Sequence, residues 1–293
     1  MVTLTFMMMK ALPGDPFSEE KALPTEVMTS LKHHYGLDTS LFHQYLQYLF
    51  SIMTFNFGPS IVYPNKTVVG IIKSSFPVSA VIGTQALFIA LFLGVIFGTL
   101  SAIFHPRWQQ KTLMLFGVCL ISIPSFLLAT LLQYALGIYF DFLPMAKWGT
   151  WEHTILPTIS LAVFPTALIA RLVRTNLLEV MKLDYIKNAK AKGLSSFEIL
   201  WFHALPNSLI PVIGYMGQLM TSILVGSFIV EKIFGIPGLG QWFIASIMNR
   251  DYPVIMGTTV FYSFLLILFI FCSDCLYLVV DPRIQLRSHP RNV

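Results

Sequence analysis

The chain has 293 residues, 55% of them hydrophobic and 11% charged, with a mean hydropathy of +0.71 and a formal net charge of +5. Soluble domains carry about a quarter of their residues as charges, so an ordinary water-soluble domain is excluded. The positive excess then reads as loop charge on a bilayer protein rather than as a nucleic-acid surface.

In chain order, residues 1–12 are apolar except for Lys10. About ten residues cannot cross a bilayer, so they predict the end of a partial first span whose remaining roughly 10 to 20 residues would lie upstream of Met1. Residues 13–77 predict the largest extracytosolic segment. Within it, 41–53 place Leu41, Tyr45, Leu46, Leu49, Ile52 and Met53 on one helical face, which predicts an interfacial amphipathic helix. That helix covers the outer end of the bundle or helps to receive an external protein. His33, His34 and His43 lack metal-ligand company at matching spacing and read as loop residues.

Five apolar spans follow: 78–104, 112–139 with Pro124 inside, 155–170 with Pro157 and Pro165 and an extension towards 175, 209–230, and 254–280. They must be helices, because isolated strands or loops cannot satisfy their backbone in lipid. Gly94 and Gly98 form a G-x-x-x-G that permits close helix approach. Cys119, Cys272 and Cys275 lie in apolar runs and read as small packing residues. Lys and Arg gather after 104, through 171–192 and in the 281–293 tail, which places those regions on the cytosolic side. The opposite loops mix Asp141, Lys147, Glu152, Glu231, Lys232, Arg250 and Asp251.

Asp274 is the charge in the last span, about 9 Å from its cytosolic end at 1.5 Å per residue. A carboxylate there needs a partner; Arg171 and Arg174 are the candidates, in a structural ion pair. Residues 235–240 carry three glycines but no following Lys-Ser/Thr, so they read as turn chemistry, and no P-loop pattern occurs in the chain. No arrangement of side chains suits catalysis or a metal ion.

Residues 184–206, DYIKNAKAKGLSSFEILWFHALP, form a polar insert between two apolar spans. Asp184 suits an N-cap and Gly193 a left-handed helix end. Ser195 and Glu198 form a capping box for a second short helix. Pro206 stands where the next long helix begins. So ordered an insert predicts a docking surface.

Its spacing resembles the EAA loop of bacterial ATP-binding-cassette importer permeases: Lys187-Asn188-Ala189, then Gly193, then His203-Ala204-Leu205-Pro206. Ala189, Gly193 and Leu205-Pro206 match, whereas Lys187, Asn188 and His203 depart from the general pattern. Asp184-Tyr185-Ile186 and the run from Ala189 to Leu194 look like the variant of dipeptide and oligopeptide permeases. The resemblance extends from Leu12-Pro13-Gly14-Asp15-Pro16 through Tyr35-Gly36-Leu37-Asp38, Gln44-Tyr45 and Arg250-Asp251-Tyr252-Pro253 to Asp281-Pro282-Arg283-Ile284.

The resemblance implies an all-α integral membrane protein, a type I ABC importer transmembrane domain. This MetI-like bundle would have about six helices, the first truncated. Its permease core would cover 78–280 and its coupling loop 182–206. The chain would be a B-type permease subunit, not an enzyme, of a binding-protein-dependent peptide importer in the bacterial inner membrane. It would hold no cofactor, ATP being bound by partner subunits. Implied partners are a second homologous permease, one or two cytosolic ATPases, an extracytosolic solute-binding protein and the lipid bilayer, with no nucleic acid. In the loop, Ala189, Ala191 and Gly193 would allow close approach of an ATPase. Tyr185, Ile186 and Leu194 would offer apolar contacts, within a frame set by Asp184, Leu205 and Pro206. A nickel or other small-solute permease of the same family is an alternative. An autonomous secondary transporter or channel is another, although it would show more intramembrane polar residues or paired broken helices.

Overall fold

Apolar runs of this length close their backbone hydrogen bonds in hydrocarbon only as helices, and helices fill the computed structural model. It describes residues 2–11, 25–34, 36–105 and 108–280. Among these, strand-type pairing is confined to one bridge, between Pro59 and Thr67. The first half contains α1 (Val2–Ala11), α2 (Thr25–His34), α3 (Leu41–Met53), α4 (Val68–Ile103), α5 (Trp108–Ser122) and α6 (Ser125–Leu132). The second contains α7 (Glu152–Val180), α8 (Asp184–Ala191), α9 (Ser196–Glu198), α10 (Leu205–Phe234), α11 (Leu239–Met248) and α12 (Tyr252–Val280). Four stretches, Val68–Ile103, Trp151–Val180, Ser196–Phe234 and Tyr252–Val280, are long and apolar enough to cross a membrane.

These bounds correct the sequence reading in several places. The Thr67 hydroxyl accepts the Gly70 N–H at 3.1 Å and starts α4 ten residues before the expected position 78. Hydropathy marks the charge-free part of a helix, here the part after Lys73-Ser74-Ser75, and so misses the turn that precedes them. The expected span 112–139 is divided instead. Pro124 has extended backbone, φ −56° and ψ 140°, and stands as the N-cap of α6, which runs on into a π-helical turn, Gln133–Tyr139. By contrast α7 continues unbroken through Pro157 and Pro165 for 29 residues, well beyond 155–170. The helix over 41–53 forms, with the Ser40 hydroxyl accepting the His43 N–H at 3.3 Å. Its most buried side chain is Tyr48, which the expected face did not include, while Leu41, Leu46 and Met53 of that face stay exposed.

Small residues set the helix crossings, as expected where lipid supplies no hydrophobic drive between helices. The Gly94/Gly98 pair lies against α7 of the same chain. A Cβ on Gly94 would stand 2.7 Å from the Ile169 Cβ, and one on Gly98 2.6 Å from the Ala170 carbonyl oxygen. Thr158 donates to Gln85 Oε1 at 3.0 Å across the same seam. On the other flank, a Cβ on Gly217 would stand 2.7 Å from the Phe269 carbonyl oxygen, and Ser273 donates to the Ile213 carbonyl at 2.8 Å, joining α12 to α10. Ile82, Ala86, Leu156, Ile169, Val212, Leu219 and Phe234 fill the core between α4, α7 and α10.

Two carboxylates that the sequence reading left in loops are fully buried at the end of the bundle remote from residues 184–206. Glu231, on the last turns of α10, accepts the N–H groups of Gly240 at 2.8 Å and Gln241 at 3.3 Å, and Ser79 Oγ accepts that of Leu239 at 2.9 Å. Together they satisfy the first turn of α11, donors that a buried helix start would otherwise leave orphaned. Asp251 accepts the Ser60 hydroxyl and, at 3.2 Å, the Ile61 N–H, pinning that loop to the start of α12.

Burial pushes the Asp251 carboxyl above the ordinary carboxylate range, against the opposing pull of the Ser60 and Ile61 donors. An acid whose folded pKa lies above its unfolded one contributes stability that is complete below the unfolded value, about 4. That contribution is lost as pH rises through the folded value. The melting midpoint of the protein should therefore fall with rising pH over this window more steeply than that of Asp251→Asn. Superimposable profiles in a fluorescence melt would refute the assignment.

Candidate functional site

The 184–206 segment is built from its caps outward. Leu183, with extended backbone at φ −69° and ψ 152°, occupies the N-cap of α8 and makes no side-chain cap hydrogen bond. Asp184 is therefore the first helical residue rather than the expected N-cap. Its carboxylate favours the first turn through the helix dipole and takes the Lys187 ammonium at 2.7 Å. That pair is exposed and contributes little. Gly193 has φ +86°, the left-handed end expected of it. The capping box also forms: Glu198 N–H donates to Ser195 Oγ at 3.3 Å and Ser195 N–H donates to Glu198 Oε2 at 2.8 Å. A π-helical turn, Ile199–Ala204, then feeds directly into α10, with Pro206 in its first turn.

Burial divides the expected loop residues into two sets. Ile186 and Ala189, three positions apart on α8, face inward and pack with Ala102, Leu177, Ile199 and Ala204. Ile186 is 0% exposed, so it is not a contact offered to a partner. Leu205 is buried as well, and Leu194 packs partly against the same cluster. Tyr185 donates its hydroxyl to the His203 carbonyl at 3.1 Å. The Asn207 amide donates to both the Tyr185 oxygen, at 3.1 Å, and that carbonyl, at 2.8 Å. These bonds join α8 to the first turn of α10, and neither His203 nor Asn207 was expected to take part.

The outward set contains Asp184, Lys187, Lys190, Ala191, Lys192, Gly193 and Pro206. Beside them stand Phe197 at 66% exposed, Trp201 at 49% and Phe202 at 72%, with the first two rings 6.0 Å apart. The sequence reading missed this aromatic edge, although the four-residue spacing of Phe197 and Trp201 was a usable signal for one helical face.

The expected intramembrane ion pair is absent among the described residues: no bond of 4.0 Å or less joins Asp274 to Arg171 or Arg174. Asp274 and Arg171 are exposed, and Arg174 has a buried Nε without a hydrogen-bond partner. The reason is topological, since α12 lies chiefly on α10 whereas α7 lies chiefly on α4 and α10. No group of three or more His, Cys, Asp or Glu able to hold a metal ion occurs among the described residues.

A bundle of helices long enough to cross a membrane, with an ordered segment at residues 184–206, is an architecture found among transport permease subunits. The chain belongs to the family described as binding-protein-dependent transport system inner membrane component, which it matches over residues 94–286. It is 48% identical over 286 residues to the dipeptide transport system permease protein DppB of Bacillus subtilis, covering 98% of this chain and 93% of that protein. It is 38% identical over 287 residues to the oligopeptide transport system permease protein OppB of Escherichia coli K12, covering 97% and 94%. Among solved structures it resembles an inward-facing MetNI methionine ABC transporter, with a TM-score of 0.63 at 17% identity over 72% of this chain and 96% of that one. The fold is that of a type I ABC importer transmembrane domain, and the family is one of permeases rather than enzymes.

Proposed function

We propose that this chain forms half of a path for short peptides across the bacterial inner membrane, the other half being a second, related permease. The reading is carried by its near-full-length similarity to a permease named for dipeptide transport. One or two cytosolic ATPase subunits would seat against the outward face of residues 184–206, where Ala191 and Gly193 leave room and Phe197, Trp201 and Phe202 supply apolar area. A solute-binding protein would deliver the peptide at the opposite end.

ATP stays on the partner. This chain converts movement of its lever into a change of access through α10, because the Tyr185–His203–Asn207 bonds tie the two together. The partner shifts the equilibrium only to the extent that it binds the two arrangements differently. The test is uptake by the reconstituted complex, using labelled di- and oligopeptides against nickel. ATP-dependent peptide accumulation is the expected result. Accumulation of nickel alone would move the chain to the small-solute branch, and uphill transport without any ATPase would end the proposal.

A further inference from the structure

At the end of the bundle remote from residues 184–206, a cavity of about 300 Å³ lies between α1, α3, the 56–61 turn and the start of α12. Two hydrogen-bond donors that line it have no acceptor among the described residues. The Lys10 ammonium sits 5.2 Å from the centre of the Tyr252 ring and 5.9 Å from that of Phe6, and no ion pair to it occurs among the described residues. Tyr48 is 4% exposed, and its hydroxyl has no hydrogen-bond partner. Burial pushes this phenol up to about 12, so it keeps its proton and can only be improved by an acceptor. Gln47, Asn56 and Gly58 add polar wall to the same space.

A half-buried ammonium and a buried hydroxyl, neither with an acceptor among the described residues, line one cavity, and an anionic oxygen would satisfy both. The helices that present them carry exposed apolar faces: Leu4, Met7 and Met8 on α1, Phe42, Leu46 and Phe50 on α3. In a bilayer those faces meet acyl chains, so a lipid can reach the donors from the hydrocarbon, whereas free phosphate or a peptide carboxylate would meet the donors alone. A phospholipid answers both, its phosphate meeting the charge and its acyl chains lying along the apolar side chains.

We propose that this cavity is a headgroup site for an anionic phospholipid of the outer leaflet, its phosphate held between Lys10 Nζ and Tyr48 Oη. The headgroup hydroxyls reach the Gln47 and Asn56 amides. The lipid joins α1 and α3 to the start of α12, so it acts as a strut for the outer end of the bundle.

The test uses the full chain in nanodiscs of phosphatidylcholine with and without phosphatidylglycerol, read by thermal unfolding, and native mass spectrometry of lipid adducts. Phosphatidylglycerol should raise the unfolding midpoint and remain as an adduct. Tyr48→Phe keeps the ring against Phe6 and removes a hydroxyl with no protein partner. It should leave the midpoint in pure phosphatidylcholine unchanged while weakening phosphatidylglycerol binding about tenfold. Lys10→Gln should lose the adduct and Lys10→Arg should retain it. Equal adduct occupancy in the parent and in the Lys10→Gln/Tyr48→Phe pair would overturn the proposal. So would protection of the midpoint by inorganic phosphate or by a dipeptide in place of the lipid.

Discussion

Replacing Gly98 by alanine is expected to unseat α4 from α7 and to lower the stability of the whole bundle. The added Cβ would stand 2.6 Å from the Ala170 carbonyl oxygen and 2.7 Å from the Val173 Cβ. Neither atom can turn away, since one belongs to the backbone and the other is fixed to it. The two helices must therefore separate, and the dispersion contacts along their seam weaken together. Overpacking of this kind costs about 1–3 kcal/mol, a large part of the 5–15 kcal/mol that holds a typical fold together. Valine should be worse than alanine. Gly117→Ala on α5 is the control, because a Cβ there meets nothing within 4 Å, and it should leave stability unchanged or slightly raised. Unfolding midpoints in detergent, with size-exclusion profiles, decide the matter: a Gly98→Ala protein as stable as Gly117→Ala would show that the seam is loose.

Valine at Gly193 should have the opposite profile, with the bundle intact and transport lost. At φ +86° a side chain is strained whatever the space around it, and here a Cβ would meet nothing within 4 Å. The strain is conformational, about 1–2 kcal/mol for an L-residue in left-handed geometry, and greatest for a β-branched one. It is relieved by redirecting the chain between the end of α8 and the Ser195 capping box, which moves Phe197 and Trp201 relative to Lys190. The buried members of the cluster around Ile186 lie outside this stretch and only the partly buried Leu194 at its edge would shift, so the protein should accumulate and insert normally. Peptide uptake by the assembled transporter should fall by about tenfold or more, the ratio that corresponds to 1.4 kcal/mol. Asparagine, which tolerates this backbone region, should be milder. Uptake at the parent rate by Gly193→Val would remove residues 184–206 from the coupling mechanism.

Features that depend on neighbouring residues were legible in the sequence. The Ser195–Glu198 box and the left-handed glycine act over one or two turns and appear in the structure, and four of the five apolar runs lie in long helices while 112–139 is divided at Pro124. The inward placement of Ile186 and Ala189 was also written there, in their three-residue spacing against Lys187 and Lys190 on the other face. The loop resemblance points the same two residues towards a partner instead. What stayed hidden depends on tertiary company. Pro124 ends a helix while Pro157 and Pro165 do not, a difference that local propensity does not encode. Glu231 and Asp251 look like loop charges until the N–H groups of α11 and of the 60–61 turn are seen to converge on them. Asp274 and the two arginines were paired on their expected nearness to the cytosolic ends of their spans, and the order of the helices around the bundle keeps them apart.

The bonds from Tyr185 and Asn207 to the His203 carbonyl give the 184–206 segment a root inside α10. Loops are often treated as exchangeable modules, to be cut at their ends and grafted between relatives. In this protein such a cut at Pro206 would sever the blade from its hinge pin, since Asn207 lies one residue beyond it. A chimera meant to answer to a different motor must carry the donor's first turn of α10 along with the loop.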